Sequence, residues 1–217
     1  MDHNPNKRYR DRLRILLIIY FFSEDCSDAK NPSIVGLLKS EVKIQKLDFF
    51  IRYPSYLCYE LILKMEEDSA IDRDEVKSIV REILESNEPE MRTLDMKKFL
   101  YGAWESLDLT LNFLKAHGLI DFDSKVGSDL HRYQKEYFLT RLGKTKVLEG
   151  LSSIPGLEWY NNRCLLIKKY FGNLSGTELK ALQYGHEKYK GALINEYIQD
   201  ISYETRQLFV KSFKEEI

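Results

Sequence analysis

The chain has 217 residues, 43% of them hydrophobic, which suits one good core, or a core with an appended helical lobe, better than two large independent domains. Lysine and arginine number 33 against 34 acidic residues, so no global field draws the protein to nucleic acid or anionic lipid, and any such attraction is local. Cys26, Cys58 and Cys164 are odd in number, far apart and never in a CxxC pair. That argues against a disulfide framework or a thiolate zinc site and fits a reducing, cytoplasmic compartment.

In chain order, basic Lys7, Arg8, Arg10, Arg12 and Arg14 run into apolar Ile15 to Phe22, like the start of a secretory leader. Ser23-Glu24-Asp25 stand where small residues and a cleavage site belong, and the run is far short of the ~20 residues that span a bilayer. Tyr9 to Phe22 therefore reads as a buried helix, and no membrane span appears elsewhere. Asn31-Pro32-Ser33 reads as the start of a second helix, with Ile34, Leu37, Leu38 and Val42 at helical spacing. Ile44, Leu47 and Ile51 share the face of a third, which Pro54 ends, and Ser55 to Met65 forms another. From Glu66 to Glu90 the composition turns acidic. Ile71, Val76, Ile79, Val80, Ile83 and Leu84 keep helical spacing there, which predicts an exposed amphipathic helix.

Residues 106–149 read helix, strand, turn, strand, helix. Leu107, Leu111 and Leu114 form an apolar face that ends at His117-Gly118, where Gly can take the left-handed conformation that closes a helix. Leu119 to Phe122 alternates apolar and polar, a polar tip runs from Asp123 to Arg132, and Tyr133 to Leu139 returns as a second strand. Leu139-Thr140-Arg141-Leu142-Gly143 then restarts a helix. This succession looks like a winged-helix domain, and the expected fold is mainly α with a small β hairpin: a winged-helix core with N-terminal and C-terminal helical extensions. The expected division is a winged-helix-like domain over 1–150, with an acidic helical insertion near 66–90, and a C-terminal helical lobe over 151–217.

The helix before the wing carries Asp108, Thr110, Asn112 and Lys115 opposite its apolar stripe, which is no phosphate-seeking face. Leu109 and Phe113 form a second apolar stripe, to be covered either by the C-terminal helices or by a partner. The wing and its exit are locally basic. Lys125, Arg132, Lys135, Arg141, Lys144 and Lys146 could hold a phosphate backbone without reading sequence, or be an ordinary solvated surface.

Catalytic spacing is not found. Gly143-Lys144-Thr145 ends like a phosphate-binding loop, but Phe138 stands where the first glycine belongs. His186-Glu187 begins like a zinc-protease helix, but Lys190 replaces the second histidine. Glu41-Val42-Lys43 and Glu75-Val76-Lys77 match the Glu-x-Lys unit of metal-dependent nucleases, yet lie in predicted helices rather than strands. No catalytic residue, metal site or cofactor is expected.

Two blocks carry a resemblance that covers most of the chain. One is Lys43 to Tyr59, with Gln45-Lys46-Leu47-Asp48-Phe49 and Arg52-Tyr53-Pro54. The other is Phe171-Gly172-Asn173-Leu174-Ser175-Gly176-Thr177-Glu178-Leu179-Lys180, followed by Tyr184, His186 and Tyr189. With the winged-helix pattern, they resemble the middle component of ABC three-component systems, the group that includes the small accessory subunit of Lamassu-type anti-phage defence. The resemblance implies a cytoplasmic, non-catalytic scaffold that binds an SMC/Rad50-like ATPase subunit and joins it to an effector subunit, often a nuclease. Its contact with DNA would be non-specific, through the complex, and a membrane plays no part. The alternative is a winged-helix DNA-binding regulator acting through the basic wing.

Overall fold

The computed structural model describes residues 5–86, 96–99, 102–126, 132–154 and 156–217, with the side chains of 5, 6, 124–126 and 132–134 outside the description. In chain order the elements are α1 (Pro5–Phe22), β1 (Glu24–Asp25), β2 (Ile34–Lys39), α2 (Glu41–Arg52), α3 (Pro54–Glu67), α4 (Arg73–Glu85), β3 (Lys98–Phe99), β4 (Gly102–Ala103), α5 (Asp108–Ala116), β5 (Ile120–Val126), β6 (Arg132–Thr140), α6 (Arg141–Ser153), α7 (Leu157–Phe171), α8 (Gly176–Gly185), α9 (Glu187–Gly191) and α10 (Ser202–Phe213). The protein is mainly helical with a small antiparallel sheet. Among the described residues no helix is long and apolar enough to cross a membrane.

Packing divides the chain into two compact units, Met1–Asp48 with Glu105–Thr177, and Phe49–Trp104 with Glu178–Ile217. The expected boundary at 150 does not coincide with this division. Helices α6 and α7 pack against α1 of the first unit, and the second unit is built from a middle stretch and the C-terminal stretch together.

In the first unit, α1 is the buried helix expected over Tyr9 to Phe22: Ile15 to Ile19 are all in the core. The sheet runs β1-β2-β6-β5, each pair antiparallel. Its inward side chains are Ile34, Leu38, Ile120, Tyr137 and Leu139, with Leu38 opposite Tyr137 and Ile120 opposite Leu139.

Strand β2 corrects an expectation, because the segment after Asn31-Pro32-Ser33 is not a helix. The Asn31 carboxamide oxygen accepts from the Ser33 N–H at 3.1 Å and from its hydroxyl at 2.6 Å, making a side-chain turn of the kind that competes with helix initiation. Beyond it Ile34, Gly36 and Leu38 are buried while Val35 and Leu37 are half-buried. That alternation has period two, and it prevailed because β6 offers a ladder of backbone partners. Ile34 and Leu38, four apart, fit both periods; β-branched Ile34-Val35 and the interior glycine favour the strand.

Of the succession expected over 106–149, the two helices and the two paired strands are observed, while the turn between the strands, 127–131, lies outside the described residues. Gly118 has φ 68° and closes α5 as expected. The Thr140 side chain caps α6 by accepting from the Gly143 N–H, and its hydroxyl lies 2.6 Å from the Gly118 carbonyl, to which it donates. A Cβ on Gly143 would stand 2.0 Å from the Leu119 carbonyl oxygen. The start of α6 therefore touches the chain entering β5, and this contact needs glycine.

In the second unit, α3 packs with α4 and α10. Helix α4 is the amphipathic helix of the acidic stretch, with Val76, Val80 and Ile83 buried and its N–H groups capped by Asp72. Helix α2 ends at Arg52, before Pro54 as expected, and Pro54 also opens α3. Glu215 accepts from Lys77 and Arg81, and these hydrogen bonds hold its carboxyl below the usual range.

Candidate functional site

The residues that carry the family resemblance meet in space, once within each unit. In the first, the Lys43 ammonium donates to the Gly172 carbonyl at 2.9 Å. Gly176, at the start of α8, lies so close to the first turn of α2 that a Cβ there would stand 2.7 Å from the Lys43 nitrogen. Glycine at 176 is thus a packing requirement. In the second unit Phe49 stacks on Tyr53 with ring centres 4.5 Å apart and meets Tyr189 edge-on at 5.4 Å. His186 lies 2.6 Å from the Glu60 carboxylate between the edges of Tyr56 and Tyr59. Burial raises the phenol ionisation of Tyr56 and Tyr189 well above its usual range, so these rings are neutral hydrogen-bonding groups.

The block at 45–49 is structural residue by residue. The Gln45 amide donates to the Glu105 carbonyl at 2.6 Å and accepts from its N–H at 3.1 Å, clamping a backbone segment as a strand would. Asp48 is wholly buried and holds the Arg14 guanidinium, which also reaches Asp11 at 2.8 Å. Burial works against the charge on Arg14, but Asp48 and Asp11 outweigh it, so the group stays ionised. Sequence reasoning missed this pair, although Arg14 beside an apolar run and Asp48 between Leu47 and Phe49 were its signals. Two other buried polar groups went unnoticed. The Lys98 ammonium donates to the carbonyls of Lys190 and Ala192, and Glu60 partners His186.

The two Glu-x-Lys units are engaged in packing. Glu41 accepts from Lys135 and from the Tyr137 hydroxyl, Lys43 serves Gly172, and Lys77 pairs with Glu215. Among the described residues no three histidines, cysteines or carboxylates gather as a metal site would require. The Cys164 thiol is pushed up to about 12 by burial, so it is no nucleophile at neutral pH.

Of the six basic residues of the wing and its exit, four have described side chains, and two of these are paired. Lys135 is bound to Glu41, and Lys146 to Glu149 at 2.8 Å. Arg141 and Lys144 are exposed, and Lys144 lines a shallow groove with Tyr20, Leu165 and Lys168. Lys125 and Arg132 have backbones in β5 and β6, while their side chains lie outside the described residues. The wing tip, 127–131, lies outside them too.

On α5, Leu107, Leu111 and Leu114 face the core as expected. The second stripe divides. Leu109 is 76% exposed, whereas Phe113 is half-buried, with the Arg12 guanidinium 3.5 Å above its ring and His117 stacked on it. Lys115 is paired with Asp121, so the exposed side of α5 is not basic. In the second unit, Leu193 and Ile194 are 66% and 52% exposed, on a turn tied by the Leu193 N–H to the Glu196 carboxylate at 3.1 Å. Tyr197 is exposed beside them in sequence. No protein family, curated protein or solved structure matches the chain.

Proposed function

We propose that the protein is a non-catalytic, cytoplasmic adaptor that joins an SMC/Rad50-like ATPase to an effector, a nuclease, in a bacterial anti-phage defence assembly of the three-component kind. The observation that carries this reading is that each compact unit presents large apolar side chains to solvent: Leu109 on the first, and Leu193, Ile194 and Tyr197 on the second. A protein that bridges two partners needs one such surface for each. The buried structural work of Gln45, Asp48 and Gly176 agrees with the resemblance at those positions, since a scaffold keeps residues for packing.

The first unit is read as a winged helix. The order α1, β2, α2, α5, β5, β6, with β6 between β2 and β5, supports this: a strand before the second helix pairs with the returning strand of the wing. Residues 53–107 then enter between α2 and α5, where a helix-turn-helix has a short turn. The regulator alternative is less favoured, because α5 exposes Asp108, Leu109 and Asn112 and its Lys115 is neutralised by Asp121.

Hydrogen exchange tests the reading. Over residues 106–117, exchange is expected to slow in the co-purified assembly relative to the chain alone. Unchanged exchange there removes Leu109 from the interface.

A further inference from the structure

Four side chains of the first unit form a column on its surface. Tyr9 and Arg12 are three residues apart on α1, and Phe113 and His117 four apart on α5, so each pair shares a helix face. The Arg12 guanidinium lies 5.6 Å from the Tyr9 ring centre and 3.5 Å from that of Phe113. His117 continues the stack at 3.9 Å from Phe113, with 28° between the planes. Arg12 and Phe113 are half-buried, while Tyr9, at one end, is 66% exposed and His117, at the other, is exposed. The column is thus a π and cation–π stack whose end rings are open to another flat group.

The charge of this face is cationic. Lys7 is paired with Glu105, Asp11 with Arg14, and Lys115 with Asp121. No ion pair among the described residues neutralises Arg8, exposed beside Tyr9, or Arg12. Asp108, the acid of α5, sits at the opposite end of that helix from His117.

We propose that this column is a landing site for single-stranded DNA, with an unpaired base stacked on Tyr9 and its phosphates held by Arg8 and Arg12. Stacking needs an open base face, which a duplex does not offer, because its bases are stacked on one another. The Arg12 guanidinium on the rings, with exposed Arg8 one turn before it on α1, matches the way single strands are bound without regard to sequence. A protein partner would favour Leu109, one turn from Phe113, where apolar surface comes without charge; the guanidinium between two rings favours a polyanion with flat groups. The inference does not rest on the adaptor reading, and it assigns DNA contact to α1 and α5 rather than to the wing.

The test is fluorescence anisotropy of the purified full chain with a labelled oligothymidylate of about twenty nucleotides. Binding is expected to be roughly tenfold tighter than to a duplex of the same length, with a salt dependence corresponding to about two phosphate contacts. Tyr9→Leu keeps apolar area and removes the ring, and is expected to weaken binding roughly tenfold, while Tyr9→Trp retains it and Lys144→Ala leaves it unchanged. Thermal melting of each variant, unchanged because Tyr9 is exposed, separates loss of binding from loss of fold. Wild-type affinity in Tyr9→Leu, equal affinity for duplex, or no binding at low salt overturns the proposal. Tighter binding of the matching oligouridylate overturns the choice of DNA. A partner complex lost in Tyr9→Leu, in a chain that binds no oligonucleotide, overturns it in favour of protein docking.

Discussion

The two units solve the same problem, satisfying buried backbone groups, by different means. In the first, the β1-β2-β6-β5 ladder pairs the main chain with itself. In the second, the only strands among the described residues are the two-residue β3 and β4; a short backbone pairing joins 96–98 to 195–198, and side chains supply further partners. The Tyr53 hydroxyl accepts from the Met96 N–H at 2.8 Å and lies 3.2 Å from the Ile198 carbonyl, to which it donates. Tyr56 donates to the Gln199 carbonyl at 3.0 Å, Tyr189 accepts from the Ala103 N–H, and Thr205 donates to the Ser55 carbonyl. A buried main chain without regular structure thus calls for hydroxyl-bearing residues, and the cluster Tyr53, Tyr56, Tyr189 serves that need.

The largest effect is expected at the buried ion pair of the first unit. Arg14→Met leaves the Asp48 carboxylate in the core without its guanidinium, and chemical denaturation is expected to show a loss of about 3–5 kcal/mol. Pairing it with Asp48→Leu should recover much of that loss, since a buried pair is often replaceable by apolar groups. If the double variant were no better than the single, the pair would be needed for more than charge compensation.

Gly143→Ala comes next. Its methyl group would stand 2.0 Å from the Leu119 carbonyl oxygen, so α6 or β5 has to move, at about 3 kcal/mol. A stability close to wild type would mean that the contact relaxes easily and that the first unit does not depend on close backbone approach.

Tyr53→Phe probes the second unit at about 1–3 kcal/mol, the cost of leaving a buried N–H without an acceptor. Hydrogen exchange sharpens the comparison, because protection is expected to fall around Met96 and Ile198 while the sheet keeps its own. Equal loss in the sheet would show that the units do not hold their backbones independently. The smallest effect is at the cap of α4, where Asp72 accepts from the N–H groups of Asp74 and Glu75. Asp72→Ala is expected to cost about 1 kcal/mol, and a larger loss would give that surface helix more weight than its single buried stripe implies.

The same contrast explains what the amino-acid order made legible. Segment α5 to α6 was readable because its signals are local: Gly118 at a positive φ, the alternation from Leu119 to Phe122, and Thr140 three residues before Gly143. Strand β2 was not, because its partner β6 lies about a hundred residues away and Ile34 and Leu38 satisfy two periods at once. The division into two packing units was not legible for a similar reason, since the second unit is assembled from two separated stretches whose pairing no local pattern announces. The place of Leu109 off the core stripe left its covering open, and the structure exposes it. The fate of Phe113 was not legible, because it depends on Arg12 arriving from another helix. The wing lysines read alike in sequence, but Glu41 and Glu149 single out Lys135 and Lys146 for pairing.

The adaptor reading meets its most direct test in co-expression of the chain with the products of its neighbouring genes, purified through a tag on this subunit. The account predicts one stoichiometric complex containing an ATPase and an effector. Leu109→Ser should release one of them, Ile194→Ser the other, and neither substitution should alter the melting temperature of the isolated chain. A tagged subunit that elutes alone, or a complex indifferent to both substitutions, would contradict it.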